Sequence, residues 1–224
     1  MSRQGLEVRV GMGAALCYLP DPTQPFAESR FEQKQVFEVE EGGSVVVLDW
    51  VSEGRRARGE VWGFERWVGR NEVWSVNGEG GRSLVLRDNV VLDTEMSGGR
   101  EGLVGSMDGL GVFGTLILKG PLFEGLGQFF LNEFKLLPRI GARNWGEAAT
   151  TPILSEEEIK RVARHKLEKI DGVLWTAANV RGLVLVKFGA REVEGARKWL
   201  GYIVKQENSI QTNFGEGALI ALRY

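Results

Sequence analysis

The sequence Val36-Phe37-Glu38-Val39-Glu40-Glu41-Gly42-Gly43-Ser44-Val45-Val46-Val47-Leu48 carries the clearest folding signal in the chain. Its two ends are rich in the β-branched and aromatic residues that favour strands. Between them, Glu41-Gly42-Gly43 offers the glycines that a tight turn uses. The segment therefore predicts two strands that pair as a β-hairpin.

Strand signals continue on both sides of this segment. Leu6-Glu7-Val8-Arg9-Val10 alternates apolar and charged residues with the period of two that is typical of a half-buried strand. The 31 glycines imply many tight turns and therefore many short strands. The predicted fold class is mainly β, with many short antiparallel strands in a composite β-sandwich or β-helical domain. Further strands are expected at Glu60 to Val68, Glu72 to Val76, Leu84 to Leu86, Val90 to Leu92, Thr115 to Leu118, Leu183 to Phe188 and Leu219 to Leu222.

Two to three amphipathic helices are predicted among the strands. After Pro121, which suits a first helical turn, apolar residues recur every three or four positions from Leu122 to Phe134. Ser155 and Glu158 form a capping-box pair at the start of a second helix, whose lysines and arginines we expect on its outer face. A third helix is predicted from about Glu192 to Gln206.

We interpret the whole chain, residues 1–224, as one composite domain. Residues 139–173 are its most polar part and lie between two β-rich regions. They are therefore expected to form a polar, helix-bearing insertion into this single domain.

The composition narrows the classes of partner. The 28 Lys and Arg residues stand against 30 Asp and Glu, so no dense basic surface is available for nucleic acid. The longest apolar runs, such as Val45 to Leu48, are far shorter than the roughly 20 residues that a membrane helix needs, and Met1 is followed by no apolar signal segment. Cys17, the single cysteine, cannot form an intramolecular disulfide. We expect a cytoplasmic protein that binds neither nucleic acid nor membrane.

Catalytic signals are weak throughout the sequence. The single histidine, His165, lies among lysines and arginines, which favours a solvated surface residue over a functional base. Gly109-Leu110-Gly111-Val112-Phe113-Gly114 has the glycine spacing of dinucleotide-binding turns, but a β-prone run follows where a helix would be required. We therefore expect a protein that is not an enzyme. A hydrolase with an unrecognised carboxylate pair remains an alternative, because sequence does not give the distances between carboxylates.

The order of several unusual residues resembles a known family. These residues are Leu19-Pro20-Asp21-Pro22, then Pro25-Phe26 and Ser29-Arg30-Phe31; Leu48-Asp49-Trp50, then Gly54-Arg55 and Arg58-Gly59-Glu60; Gly114-Thr115-Leu116, then Gly120-Pro121-Leu122-Phe123; and a late strand followed by a helix. In this succession the chain resembles the urease accessory protein UreD, called UreH in some species. The resemblance runs from about Leu6 to Gln206 and weakens between Arg139 and Val173. Because family members carry a longer N-terminal portion, the chain is expected to represent the C-terminal two-thirds of the family's fold.

The resemblance implies a scaffold in nickel delivery. UreD proteins bind apo-urease and, through UreF, the GTPase UreG, and the assembly passes nickel to the urease active site. The resemblance thus implies transient nickel and no tightly bound cofactor. A β-rich protein-binding module unrelated to urease is the alternative interpretation.

Four acidic residues within the family-like blocks are candidates for a transient nickel path: Asp21, Glu28, Asp49 and Glu60. Oxygen ligands of this kind bind a divalent ion weakly enough to release it. A structural role as salt-bridge partners of neighbouring arginines, namely Arg30, Arg55, Arg58 or Arg66, remains open for each of them.

Aromatic and arginine side chains are the expected centres of a partner interface. The candidates are Phe123, Trp145, Arg197 and Trp199, whereas Phe130 and Phe134 fit a core stripe better. We expect Trp199 to lie off the apolar stripe of the last helix and therefore to be available to a partner.

Overall fold

The computed structural model of the chain describes residues 1–137 and 155–223. In these residues, strands form two sheets and helices cover one of them. The strands are β1 (Ser2–Val10), β2 (Ala15–Tyr18), β3 (Arg30–Glu40), β4 (Ser44–Ser52), β5 (Arg66–Val76), β6 (Arg82–Asp93), β7 (Val112–Lys119), β8 (Leu174–Val180) and β9 (Leu183–Ala190). The helices are α1 (Arg100–Met107), α2 (Glu124–Lys135), α3 (Glu156–Asp171), α4 (Val193–Glu207) and α5 (Ser209–Phe214), with short 3-10 turns at Arg56–Arg58, Pro121–Phe123 and Glu216–Leu222.

The chain winds back and forth between the two sheets. The first sheet has the order β1-β3-β5-β6 and the second has the order β2-β4-β7-β9-β8. From β1 to β5 successive strands alternate between the sheets, so β3 pairs in parallel with β1 and β5, and β4 pairs in parallel with β2. The remaining pairings among the described strands are antiparallel. The described strands thus form two mixed sheets, and the chain winds like a β-helix between them from β1 to β5.

The predicted hairpin at residues 36–48 is wrong. The strands themselves exist, as β3 and β4, but they belong to different sheets. The turn between them is an arch that carries the chain from one sheet to the other, with Gly42 at φ 76°. Gly43 lies so close to neighbouring carbonyls that a Cβ would meet the Gly11 oxygen at 3.0 Å. The glycines are needed as predicted, but for close backbone approach between coils and not for a two-stranded ribbon.

The predicted fold class is confirmed only in part, because the structure is mixed α/β with two mixed sheets. The strands are longer and fewer than expected: the runs at Leu84 to Leu86 and Val90 to Leu92 belong to one strand, β6. The expected strand at Leu219 to Leu222 is part of a 3-10 turn. Parallel pairing is also common, because alternate coils of a β-helix must run in the same direction.

The three predicted helices are confirmed as α2, α3 and α4. The capping box at α3 is complete, since the Glu158 amide donates to the Ser155 hydroxyl and the Ser155 amide donates to the Glu158 carboxylate. The expectation that the arginines of α3 face outward is wrong, because Arg164 is only 1% exposed. His165 is half-buried rather than solvated, and burial lowers its pKa. Residues 139–173 as an insertion remain a prediction.

The largest apolar cluster joins the second sheet to α2, α4 and the C-terminal turns. Trp199 lies at its centre, with ring centroids 5.3 Å from Phe188, 5.4 Å from Trp175 and 6.3 Å from Phe130. Burial of each such side chain contributes roughly 1.5–3 kcal/mol. The helices are therefore an integral third layer that fixes the second sheet from outside.

Candidate functional site

A band of polar side chains crosses the space between the two sheets. Apolar clusters fill this space on either side of the band, one around Phe37 and Val47 and the other around Val51 and Trp67. We call the band the polar layer; it consists of Gln33, Gln35, Asp49, Asn71, Asp88, Thr115 and Lys187. A polar layer in the middle of a sandwich is unusual, because burying polar groups costs free energy unless hydrogen bonds replace water.

Strand register places these residues in two facing rows. In the first sheet, Gln35 of β3 stands beside Asn71 of β5, and Asn71 stands beside Asp88 of β6. In the second sheet, Asp49, Thr115 and Lys187 are neighbours across β4, β7 and β9. Hydrogen bonds between the rows connect the two sheets, so the layer extends through most of the width of the sandwich.

Asp49 is the buried carboxylate at the centre of the layer. It accepts hydrogen bonds from Gln33 Nε2 at 2.9 Å and from Asn71 Nδ2 at 2.6 Å. Burial raises the pKa of Asp49, and these two hydrogen bonds offset that increase only in part. The carboxylate is thus held by neutral amide donors in a place where its charge is unfavourable.

The far end of the layer holds an ion pair. Lys187 Nζ donates to both oxygens of Asp88, at 2.7 and 2.6 Å, and to Thr115 Oγ1 at 2.8 Å. The side chains of Lys187 and Asp88 are 25% and 12% exposed, so water reaches this end. The Lys187 ammonium group thus balances the charge of Asp88.

The near end of the layer opens into a cavity of about 140 Å³, lined by Gln4, Tyr18, Pro20, Asp21, Thr23, Gln33, Asp49 and Trp50. Two acceptors within the layer, Gln35 Oε1 and Asn71 Oδ1, are buried and have no hydrogen-bond partner among the described residues. Buried acceptors of this kind are normally satisfied by water or an ion. Both oxygens can therefore accept a hydrogen bond or an ion contact in addition to the contacts described.

The structure brings together two of the four acidic residues that were predicted to form a nickel path. Asp21 and Asp49 line the same cavity, although Asp21 also forms an ion pair with Arg197 at 2.7 Å. Glu28 is exposed and lies outside the layer. Glu60 pairs with Arg55, whose hydrogen bond lowers the pKa of Glu60, so the structural alternative applies to it.

The described residues contain no group of three or more His, Cys, Asp or Glu side chains that could hold a metal ion. The layer instead offers carboxylate and amide oxygens that lie apart from one another. Cys17 lies half-buried in β2, and burial raises its pKa to about 11, so its reactive thiolate form is disfavoured at neutral pH.

Two of the expected interface residues are in the core. Phe123 is 1% exposed and stacks on Phe214 with centroids 6.0 Å apart, and Trp199 is 3% exposed and donates to Glu168 at 3.0 Å. The expectation that Trp199 lies off the apolar stripe is wrong, because α4 packs between the second sheet and α3. Arg197 is partly exposed and ties Asp21 to the Ala221 carbonyl. Trp145 lies outside the described residues.

Six members of the polar layer escaped the sequence analysis as site residues, although each left a signal. They are Gln33, Gln35, Asn71, Asp88, Thr115 and Lys187. Each stands at an inward position of a strand whose other inward positions are mostly apolar, as in Leu86-Arg87-Asp88-Asn89-Val90. An isolated polar residue in an apolar stripe of period two marks a position where the core is interrupted.

Among the helices that the structure describes, none combines the length and the apolar character that crossing a bilayer would require.

Comparison with known proteins identifies one family. A family model described as UreD urease accessory protein matches residues 1–216. The urease accessory protein UreD of Anaeromyxobacter sp. (strain Fw109-5) is 30% identical over 200 residues, which cover 89% of this chain and 55% of that protein. The UreD of Sorangium cellulosum (strain So ce56) is 34% identical over 176 residues, covering 78% of this chain and 52% of that protein. The chain thus spans little more than half the length of these relatives.

Proposed function

Because this chain belongs to the UreD family of urease accessory proteins, we propose that it is a scaffold that assists the insertion of nickel into apo-urease. In this proposal it binds apo-urease and UreF, and UreF connects it to the GTPase UreG. GTP hydrolysis belongs to UreG, so this chain needs no catalytic group. The family argues against a β-rich module unrelated to urease, and the single cysteine agrees with action in the reducing cytoplasm.

The polar layer is the observation that supports a direct part in nickel transfer. A sandwich gains stability from a continuous apolar interior, so a polar layer with unpartnered acceptors lowers its stability. A local loss of stability of this kind is common at functional sites, which often depart from the usual rules of core packing. The layer also begins at an open cavity and ends at a partly exposed ion pair, as a route for a small ion requires.

In the proposed route, a divalent ion enters the cavity beside Asp21 and reaches Asp49. There the unpartnered oxygens of Gln35 and Asn71 supplement the carboxylate. The ion then passes to Asp88, where it takes the place of the Lys187 ammonium group. When the route is empty, Lys187 keeps Asp88 paired and prevents an isolated buried charge.

Weak binding is an advantage for this role. A site with three or more strong ligands would retain nickel, whereas separated oxygen ligands allow it to move on. The same argument explains why the candidate residues need not form a compact coordination sphere.

Restoration of urease activity in a strain that lacks its own UreD tests the proposal. Urease would be purified from cells that express this chain or its variants, and its nickel content and activity measured. We expect Asp49→Asn to lower the nickel content of urease roughly tenfold or more, as loss of a metal-contacting group commonly does.

Glu28→Gln is the matched control, because it removes one carboxylate charge at an exposed position outside the layer. It should leave nickel loading unchanged. Pull-down of apo-urease and UreF by both variants separates scaffolding from nickel transfer. The Asp49→Asn variant should still bind both partners. Full nickel loading with the Asp49 variant would refute the route, and failure of the unmodified chain to bind either partner would refute the scaffold role.

A further inference from the structure

Helix α3 packs with its charged side inward and its apolar side outward, the reverse of an ordinary surface helix. Arg164 and Glu168 lie on its inward side and are buried. On the outward side, Ile159 is 55% exposed and Ile170 is 68% exposed. Val162 and Leu167 are each 43% exposed. The four apolar residues share one side of the helix, because Val162 lies three positions after Ile159, Ile170 lies three positions after Leu167, and Ala163 lies four positions from both Ile159 and Leu167.

Ion pairs attach the inward side of α3 to the rest of the molecule. Glu133 of α2 accepts two hydrogen bonds from Arg161, each 2.9 Å long, and one from Arg164 at 2.6 Å. Arg164 also donates to Glu168, which accepts from Trp199. Burial alone would raise the pKa of Glu133, but the two arginines outweigh it and hold the pKa below its usual value. This arrangement fixes the rotation of α3, so its apolar side cannot turn inward to escape water.

The outward side forms what we call the α3 stripe: Ile159, Val162, Ala163, Leu167 and Ile170. Leu174, 65% exposed at the start of the edge strand β8, follows the stripe in sequence. Contiguous exposed apolar surface of this kind commonly marks an interaction site. The stripe is therefore a candidate interaction surface.

We propose that the α3 stripe pairs with the α3 stripe of a second copy of this chain, in an antiparallel arrangement about a two-fold axis. The order of charges along the helix supports this occupant. The first turn carries Glu156, Glu157 and Glu158, and the second half carries Lys166 and Lys169. In an antiparallel pair the acidic turn of each copy lies beside the basic half of the other. A parallel pair would place lysine against lysine.

The stripe itself also suits antiparallel contact. Because Ile159 and Ile170 lie near opposite ends, reversal of direction brings each against the other in the second copy. Small Ala163 then leaves room for the stem of the partner's Lys166, whose ammonium group can reach the rim. The opposed helix dipoles favour the same direction. A lipid surface fits less well, because three glutamates begin the helix and the chain has a net charge of -2.

The size of the stripe predicts a weak dimer. Specific interfaces bury at least about 1,000 Å² in total, whereas the stripe offers five side chains per copy. Association should therefore depend on concentration, and sedimentation equilibrium from about 5 to 200 µM should show a rising average mass with a Kd in the micromolar range.

Ile170→Glu and Ile220→Glu form a matched pair of variants. Ile220, in the last 3-10 turn, is 69% exposed, almost the same as Ile170, so each substitution puts a charge at an accessible isoleucine. We expect Ile170→Glu to raise the Kd roughly tenfold or more, and Ile220→Glu to leave it unchanged. A wild-type chain that remains monomeric at 200 µM, or equal effects of the two variants, would overturn the proposal.

The Lys166→Gln/Lys169→Gln variant tests the direction of pairing through the sign of its effect. In the antiparallel arrangement it removes attraction and should raise the Kd several-fold, and added salt should do the same for the wild type. In a parallel arrangement the double substitution would remove repulsion between the lysines of the two copies, and the Kd would fall. Tighter association of this variant would therefore overturn the antiparallel dimer.

Discussion

Replacement of Asp49 by Asn removes the charge at the centre of the polar layer and nearly preserves the shape of the side chain. Asp49 is 6% exposed, and its hydrogen-bond partners are the amides of Gln33 and Asn71. The substituted side chain has one amide oxygen, which still accepts a hydrogen bond, and an Nδ2 group that needs acceptors. Rotation of the Asn71 amide supplies one of them, because it brings the unpartnered Oδ1 toward position 49. The variant should therefore keep a hydrogen bond between positions 49 and 71.

The expected effect on stability follows from the raised pKa of Asp49. A folded-state pKa above the unfolded value of about 3.9 means that the carboxylic acid is tolerated in the fold better than the carboxylate. Protonated Asp49 therefore contributes to the free energy of unfolding. This contribution is fully present below about pH 3.9 and is lost as pH rises through the folded-state pKa. At neutral pH the wild type therefore carries a penalty that the asparagine variant lacks. We therefore expect the variant to be more stable than the wild type at pH 7.

Urea denaturation between about pH 4 and pH 8 measures this effect. The free energy of unfolding of the variant should exceed that of the wild type by an amount that grows with pH. Asp88→Asn is the control of opposite sign, because it leaves Lys187 without its carboxylate and should destabilise the protein by about 1–3 kcal/mol. The same Asp49 variant should lose nickel transfer, so stability and function should move in opposite directions.

A constant difference between Asp49→Asn and the wild type across this pH range would refute the reasoning, because it would show that ionisation of Asp49 carries no penalty. A loss of more than about 2 kcal/mol at pH 7 would refute it too, since it would show that the carboxylate is a net stabilising hydrogen-bond acceptor.

Three further substitutions test the helical layer. Trp199→Ala should lower the free energy of unfolding by about 3–5 kcal/mol in calorimetry or denaturant titration, because it empties the centre of the aromatic cluster. Glu133→Gln should cost about 3–5 kcal/mol at pH 7, since it leaves Arg161 and Arg164 without their carboxylate. Because the pKa of Glu133 is lowered in the fold, this cost should be present above about pH 4.3 and disappear as pH falls below it. Ser155→Ala should cost about 1 kcal/mol and speed amide exchange in the first turn of α3.

The helices and most strand positions could be predicted because their signals are local. The apolar spacing after Pro121 and the capping box at Ser155 each act within a few residues and fix the start of a helix whatever surrounds it. Strand positions could be predicted in the same way, because β-branched runs such as Val45 to Leu48 favour strands locally.

Strand pairing could not be predicted in this way. The glycine turn between β3 and β4 fits a hairpin and an arch equally well. The choice depends on the strands available as partners, which are β1 and β5 for β3 and β2 and β7 for β4. Those partners lie far apart in sequence, so the choice depends on contacts that no short window contains.

The misplacement of Trp199 has a more specific cause. It is three residues after Ala196 and four before Ile203, so helical geometry places it beside the apolar stripe and not away from it. The face of α4 that is buried is wide because the second sheet covers one part of it and α3 covers another. A helix that packs on two neighbours buries more than a single stripe.

The polar layer and the ion pairs beneath α3 show two different solutions to buried charge. In the α3 cluster, Glu133 meets two arginines, and the low pKa of its carboxyl indicates net stabilisation of the charge. Among the described residues, Asp49 instead accepts hydrogen bonds from two amides, and burial raises its pKa, so its charge is destabilised. A cation that reaches Asp49 would relieve that penalty by favouring the carboxylate, and binding should therefore release a proton. The proposed affinity of the layer for a passing cation thus depends on the same imbalance that weakens the fold.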